Sequence, residues 1–578
     1  MIDLVIRGGR LVDGSGGEIT TGDVGVDEGR LVHVGGPCPL AARRVFEADG
    51  ALVTPGFVDV HTHYDAQVHW DPLVSPSSEH GVTTVVVGNC GLGLAPARPQ
   101  DRPVLERLLG GVEDIPQASI EAGLEWGWED FPDYLDALAS SPRAVEVGAL
   151  VGHAALRIHA LGAERAFGEK ANEDDLNAMC ESLRRALSAG ALGFSTSRSR
   201  LDRDSTGRPT PSCFADDRED RALARTLAGT GRGVYQLAFR GSAGDDPDAF
   251  EEEILRMGDL ARSTGLPVTF GLAQLDAAPD LWRRAYEIAE DVRRDGAQLR
   301  PQTLGRSQSV LVGLETVHPF AYRPSYGPLA ALPLAERVQR LRDPDTKRRI
   351  LSETSGPAPD HDPFSGLFDY APERLFPIDE RPDYEPGPDA SLATLARKRD
   401  REPFDLLYDL ILEQDGRALL LYPVANYHAG DDSDVREMID QPSSLLGLAD
   451  GGAHSGLLCD ASIQTYLLTH WTRDRSRGPR FPIERIVHKL TAETADVFGL
   501  TDRGRLRPGL RADLNVIDRD ALAVEPPRIV HDLPAGGRRI VQGAQGYLAT
   551  FVGGTATRES GVDTGARPGG LARPAGPS

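Results

Sequence analysis

The chain has 578 residues, with 63 Lys+Arg against 87 Asp+Glu, a formal net charge of −24, and 40% apolar residues. That balance excludes a nucleic-acid surface, which needs a basic face, and broad disorder, because the apolar share can fill a large core. No apolar run nears the ~20 residues of a membrane span, MIDLVIRGG is no basic-then-apolar leader, and five cysteines make no disulfide scaffold, so the expectation is a soluble, cytoplasmic protein of enzyme size.

Residues 1–54 read as short β-branched strands cut by glycine turns, and residues 499–556 repeat that texture, as in RLRPGLRADLNVID. The two ends together suggest one small composite β domain. Between them, residues 55–498 change period. Helical stripes (Met179, Leu183, Leu187; Phe250, Ile254, Met257; Leu281, Ala285, Ile288) each lead through a glycine into an apolar, strand-like run. Strand starts near 191, 234, 267 and 298 give the cadence of repeated βα units. No GxGxxG or GxxxxGK[ST] element follows an early strand, so the fold class predicted is α/β, a (β/α)8 TIM-like barrel. Residues 305–417 break the cadence with proline-rich acidic stretches and read as an excursion over the barrel mouth. The Gly-, Pro- and Arg-rich end, 557–578, reads as a frayed tail.

The strand C-termini of such a barrel face the active site, and polar groups collect at those ends. In PGFVDVHTHYD, an apolar strand runs into His61 and His63. Residues two apart on a strand point the same way, so both imidazoles can serve one metal ion. In VVVGNCG, Cys90 stands between glycines at a strand end, where a thiolate would be a soft ligand favouring zinc. In LLGLADGGAH, a buried strand presents Asp450, with His454 shortly after. A carboxylate there can hold an ion or take a proton from water.

These segments, with GLRADLNVID, resemble the amidohydrolase superfamily, and VGHAALR, GALGFSTS and LADGGAH are similar to strands of its N-acyl-D-amino-acid deacylase branch. The resemblance implies metal-assisted hydrolysis of a small-molecule amide, with His61, His63, Cys90 and Asp450 as metal-site residues and Asp450 as general base. It also implies histidines on the fifth and sixth strands, but GVYQLAFRG and LPVTFGLAQ carry Gln236 and Gln274 instead. A bridging lysine is absent from GALGFSTSRSR as well, so one divalent ion, Zn2+ by choice, is the economical reading over two. The substrates of that branch carry a carboxylate. Arg157, Arg198, Arg323 and Tyr326 are the candidates to receive it, with Gln236 and His454 lining the site. Two alternatives stand beside this reading: hydrolysis of a cyclic amide or another carbonyl or C–C bond, and a metal-free pseudoenzyme that binds a small molecule. No nucleic-acid or membrane partner is expected; such barrels often associate, which allows a homo-oligomer.

Overall fold

The computed structural model describes residues 1–575 apart from 243, 245 and 358–367. Eight parallel strands form the central sheet: β1 (Phe57–Asp59), β2 (Val82–Val87), β3 (Glu146–Gly152), β4 (Gly193–Ser197), β5 (Val234–Ala238), β6 (Val268–Gly271), β7 (Leu299–Thr303) and β8 (Leu445–Leu446). The last closes on the first. Thr62, just past β1, bridges Gly451, just past β8, and the His63 N–H donates to the Gly451 carbonyl at 2.8 Å. Starts at 193, 234, 268 and 299 match the sequence cadence.

The connecting helices follow from their patterns. In α1 (Arg102–Val112), Val104, Leu105, Leu108 and Leu109 make the buried stripe. In α2 (Glu173–Ala189), Asn172 caps the first turn by accepting from Asp175 N–H, and Gly190 ends the helix at φ +118°, where a side chain would be strained. Leu176, Met179, Leu183 and Leu187 face inward, each worth roughly 1.5–3 kcal/mol when fully buried.

Strands from both chain ends share a second, nine-stranded sheet, in which Leu52–Pro55 pairs antiparallel with Leu514–Ile517. This sheet runs on to Val562–Asp563, beyond the 556 boundary read from the sequence. The segment expected to fray is instead docked against the barrel. The Gly569 N–H donates to Arg143 O at 2.8 Å and the Ala572 N–H to Val147 O at 2.9 Å, against β3. Glycine makes this docking possible, because a Cβ on Gly569 would stand 2.0 Å from Val145 O. Composition that suggests disorder here serves close backbone approach.

The excursion has its own core, built on Phe320, Leu341, Ile350, Leu407 and Tyr408. Its strand Gln308–Val312 pairs antiparallel with Leu420–Ala425, so the inserted unit extends past residue 417. Glu385 fastens it to the barrel side. This carboxylate is 2% exposed and accepts from Arg475 Nη2 at 2.9 Å and Nε at 3.1 Å. Burial pushes its pKa up, but hydrogen bonds from His470 and Arg475 outweigh that and hold it at about 2. Among the described residues, no helix is long and apolar enough to cross a membrane.

Candidate active site

A cavity of about 730 Å³ opens at the strand C-termini, and His61, His63, Cys90, Gln236, Asp450 and His454 all line it. His61 and His63 follow β1 on the same side. His61 Nε2 lies 3.3 Å from Cys90 Sγ and 3.4 Å from Asp450 Oδ1. His63 Nε2 lies 3.8 Å from the same Asp450 oxygen. Donor atoms of His61, His63 and Cys90 fall within 4.8 Å of one another. Tetrahedral bonds of about 2.0–2.3 Å set neighbouring ligand atoms about 3.3–3.8 Å apart, so these spacings fit one ion.

The backbone is bent to make this convergence. Cys90, Asp450 and His454 have φ of +54°, +44° and +46°, a left-handed region that costs a non-glycine residue of order 1 kcal/mol or more. Long-range bonds hold them there. Asp450 N–H donates to His61 O at 3.1 Å, and Cys90 N–H donates to Gln236 Oε1 at 2.7 Å.

The electrostatics ask for a cation. Burial lowers the His61 pKa to about 4 and holds His63 well below the usual range, so both rings are neutral donors at pH 7. Burial also raises Asp450 to about 6 and pushes the Cys90 thiol well above its ordinary value. Two neutral imidazoles, a buried carboxylate and a buried thiol suit a divalent metal, which deprotonates a coordinating thiol.

Other expected residues lie elsewhere. Arg157 is fully buried and paired with Glu219. Arg198 spans Glu253 and Asp220 on the outside of the barrel. Arg323 donates to Ile350 O at 2.6 Å inside the excursion, and Tyr326 is 3% exposed with its ring 4.6 Å from that of His318. None of these four lines the cavity; each cation is committed to a carboxylate or carbonyl in the scaffold, and removing a buried partner would leave an uncompensated charge. His153 is likewise committed, to Thr196 Oγ1 at 2.8 Å and Glu219 Oε1 at 2.7 Å. Gln274 receives the His428 N–H at 3.0 Å.

Sequence reasoning missed Glu113, Asp202, Arg203 and Arg538, which line the same cavity. Arg538 comes from the strand Gly537–Val541 near the chain's end. No motif marks these residues; the only signal was Gly110-Gly111 at the end of a helix on the active-site side.

A profile of the amidohydrolase family matches residues 44–557. The chain belongs to the amidohydrolase family. An uncharacterized protein of Mycobacterium tuberculosis is 31% identical over 89% of this chain and 84% of its own. The N-acyl-D-glutamate deacylase of Alcaligenes xylosoxydans xylosoxydans is 29% identical over 90% and 88%. Among solved structures, the N-acyl-D-glutamate deacylase of Bordetella bronchiseptica, complexed with zinc and a phosphonate inhibitor, superposes with a TM-score of 0.64 at 24% identity over 99% of each chain. The amidohydrolase described here thus shares its barrel with enzymes of that kind.

Proposed function

We propose that this amidohydrolase cleaves the C–N amide bond of an N-acyl-D-amino acid or a closely related small amide, using one Zn2+ held by His61, His63, Cys90 and Asp450. The observation that carries this reading is the cluster of His61, His63 and Cys90 donor atoms within 4.8 Å of one another, with an Asp450 oxygen 3.4 Å from His61 Nε2 and 3.8 Å from His63 Nε2. The resemblance calls for imidazoles from the fifth and sixth strands, and Gln236 and Gln274 are there instead. Thiolate, imidazole and carboxylate together favour zinc over the hard cations. The deacylase relative supplies the substrate class.

A divalent ion bound here would acidify water and polarise the scissile carbonyl. Asp450 accepts the proton of the attacking water at a carboxylate oxygen and gives it to the leaving nitrogen, which regenerates the carboxylate. Gln302 Oε1, 2.6 Å from His61 Nδ1, fixes that ring with Nε2 toward the donor cluster. Gln236 anchors the Cys90 turn through its carbonyl, and its amide nitrogen faces the sulfur at 3.7 Å. Leu272, Leu304 and Val317 give the acyl group an apolar wall, and Arg203 and Arg538 supply the positive charge for a substrate carboxylate.

The test is metal analysis of the purified protein beside hydrolysis of N-acetyl-D-amino acids and their L forms. About one zinc per chain with D-selective release of amine is the expected result. A chain without metal that stays inert when zinc is added sinks the proposal.

A further inference from the structure

The wall of the active-site cavity changes chemistry around the barrel. Past β4 it is polar, with Arg203 and Ser205. Past β6, β7 and β8 it is aliphatic, with Leu272, Leu304 and Leu448. Strands four apart stand opposite one another in a closed eight-stranded barrel, so the leucine after β8 lies across the mouth from the polar loop after β4. Val317 of the excursion and Leu457 continue the aliphatic side. These two cluster with Val310, and the Leu311 N–H donates to Leu457 O at 2.8 Å, so excursion and barrel hold this wall together.

Leu448 is the telling member. Its φ of +57° is left-handed, a conformation that a leucine keeps only where its surroundings impose it and that clusters at ligand sites. Gly271, at the end of β6, leaves room for it, because a Cβ there would stand 2.9 Å from Leu448 Cδ2. The side chain is half-buried, so the floor of the cavity keeps open apolar surface two residues before Asp450. The cavity of about 730 Å³ has room for about 24 heavy atoms at roughly 30 Å³ each. An N-acetyl-amino acid fills about half of that and would leave the leucines in water.

We propose that the acyl group removed is a medium-chain aliphatic one, of about eight to ten carbons, and that Leu272, Leu304, Leu448, Val317 and Leu457 select it. This rests on the amide hydrolysis proposed above. Carboxylate and side chain both sit on the nitrogen side of the scissile bond, and the acyl group is alone on the carbonyl side. With the amide at the donor cluster and the carboxylate among the polar groups, the acyl chain crosses to the β6–β8 side. The wall offers branched aliphatic side chains, which suit a flexible alkyl chain. Water adds across the C–N bond, and the products are a fatty carboxylate and the free amino acid.

The experiment gives the full-length, zinc-loaded chain one D-amino acid carrying an acetyl, butanoyl, octanoyl or decanoyl group. From acetyl to octanoyl, kcat/KM should rise about 3–4-fold per added methylene. Rates that stay flat or fall with acyl length overturn the proposal. So does a rise that follows a longer amino-acid side chain at fixed acyl group. Val317→Trp narrows the wall and should lower the octanoyl-to-acetyl ratio of kcat/KM about tenfold, whereas a folding defect lowers both rates alike; an unchanged ratio removes the wall from selection. The chain-length series needs no variant, so it decides even if Val317→Trp does not fold. Zinc-loaded chain that hydrolyses none of the four brings down the hydrolase reading itself. Calorimetry on that same protein then tests the wall alone: tighter binding of the octanoyl than of the acetyl compound supports it, and equal binding overturns it.

Discussion

Two sectors of the barrel mouth use the same kind of position for opposite ends. Past β1, β2 and β8 the strand ends carry His61, His63, Cys90 and Asp450, side chains that can give up or accept protons. At β5 and just past β6 the corresponding positions carry Gln236 and Gln274, which cannot. The amides are not idle: Gln236 accepts from Cys90 N–H and Gln274 from His428 N–H. One sector gathers the candidate donors; in the other, Gln236 braces the Cys90 turn and Gln274 holds the 426–428 segment. On the function proposed above, a barrel with amides at two of its strand ends keeps a site in the remaining half.

The largest test of that division is Asp450→Asn, which keeps the shape and removes the proposed base. Turnover should fall by about 10²–10⁴-fold, measured under saturating substrate, while the fold stays intact. Unchanged turnover would move the base to another residue.

Next comes pH. Metal-free, His61 has its pKa lowered to about 4 by burial, against 6.5 for a free imidazole. The native state resists the proton that the unfolded chain takes up. Stability from this group is thus complete above pH 6.5 and is lost as pH falls toward 4, by up to about 3 kcal/mol. Denaturant melts of the metal-free chain across that range should show the loss, and His61→Gln should flatten it. A slope that persists in full would place the titration outside the donor sector.

Arg538, on a third wall, tests substrate charge. Arg538→Met should raise KM for an N-acyl-amino acid by about 10–100-fold, the worth of a charge-assisted hydrogen bond, and leave KM for the corresponding carboxamide nearly unchanged. Equal rises for both substrates would reduce Arg538 to packing.

The smallest effect belongs to the bracing sector. Gln236→Ala removes the acceptor for Cys90 N–H and should cost about 1 kcal/mol of stability while zinc stoichiometry holds. Loss of the ion in this variant would break the comparison, because it would make Gln236 part of the donor set.

The donor sector was legible because its rules are local. His61 and His63 share a side through the two-residue period of a strand, Cys90 sits between glycines, and Asp450 precedes Gly451-Gly452. The βα cadence was legible for the same reason, since it repeats within thirty or forty residues. Glu113 was not, because its contact with His63 joins a helix end to a strand end about fifty residues away, and nothing near either residue encodes it. The arginines misled for a related reason. A guanidinium reads the same in sequence whether it faces a ligand or, like Arg157 with Glu219, a buried partner contributed by a distant helix. The tail misled through composition: Gly569 looks like a flexible residue and is in fact the atom-sized gap that lets the chain lie on Val145.

The docking of Gly569–Ala572 beside β3 has a consequence for how this enzyme is made. The nine-stranded sheet joins residues 2–55 to residues 514–563, and residues 569–572 lie along the start of β3. That sheet cannot close until residues 514–563 have been made, whatever the earlier segments have formed by then. An insertion within Gly569–Ala572 disturbs the docking beside β3, and one in the exposed turn Arg399–Asp400 leaves it intact.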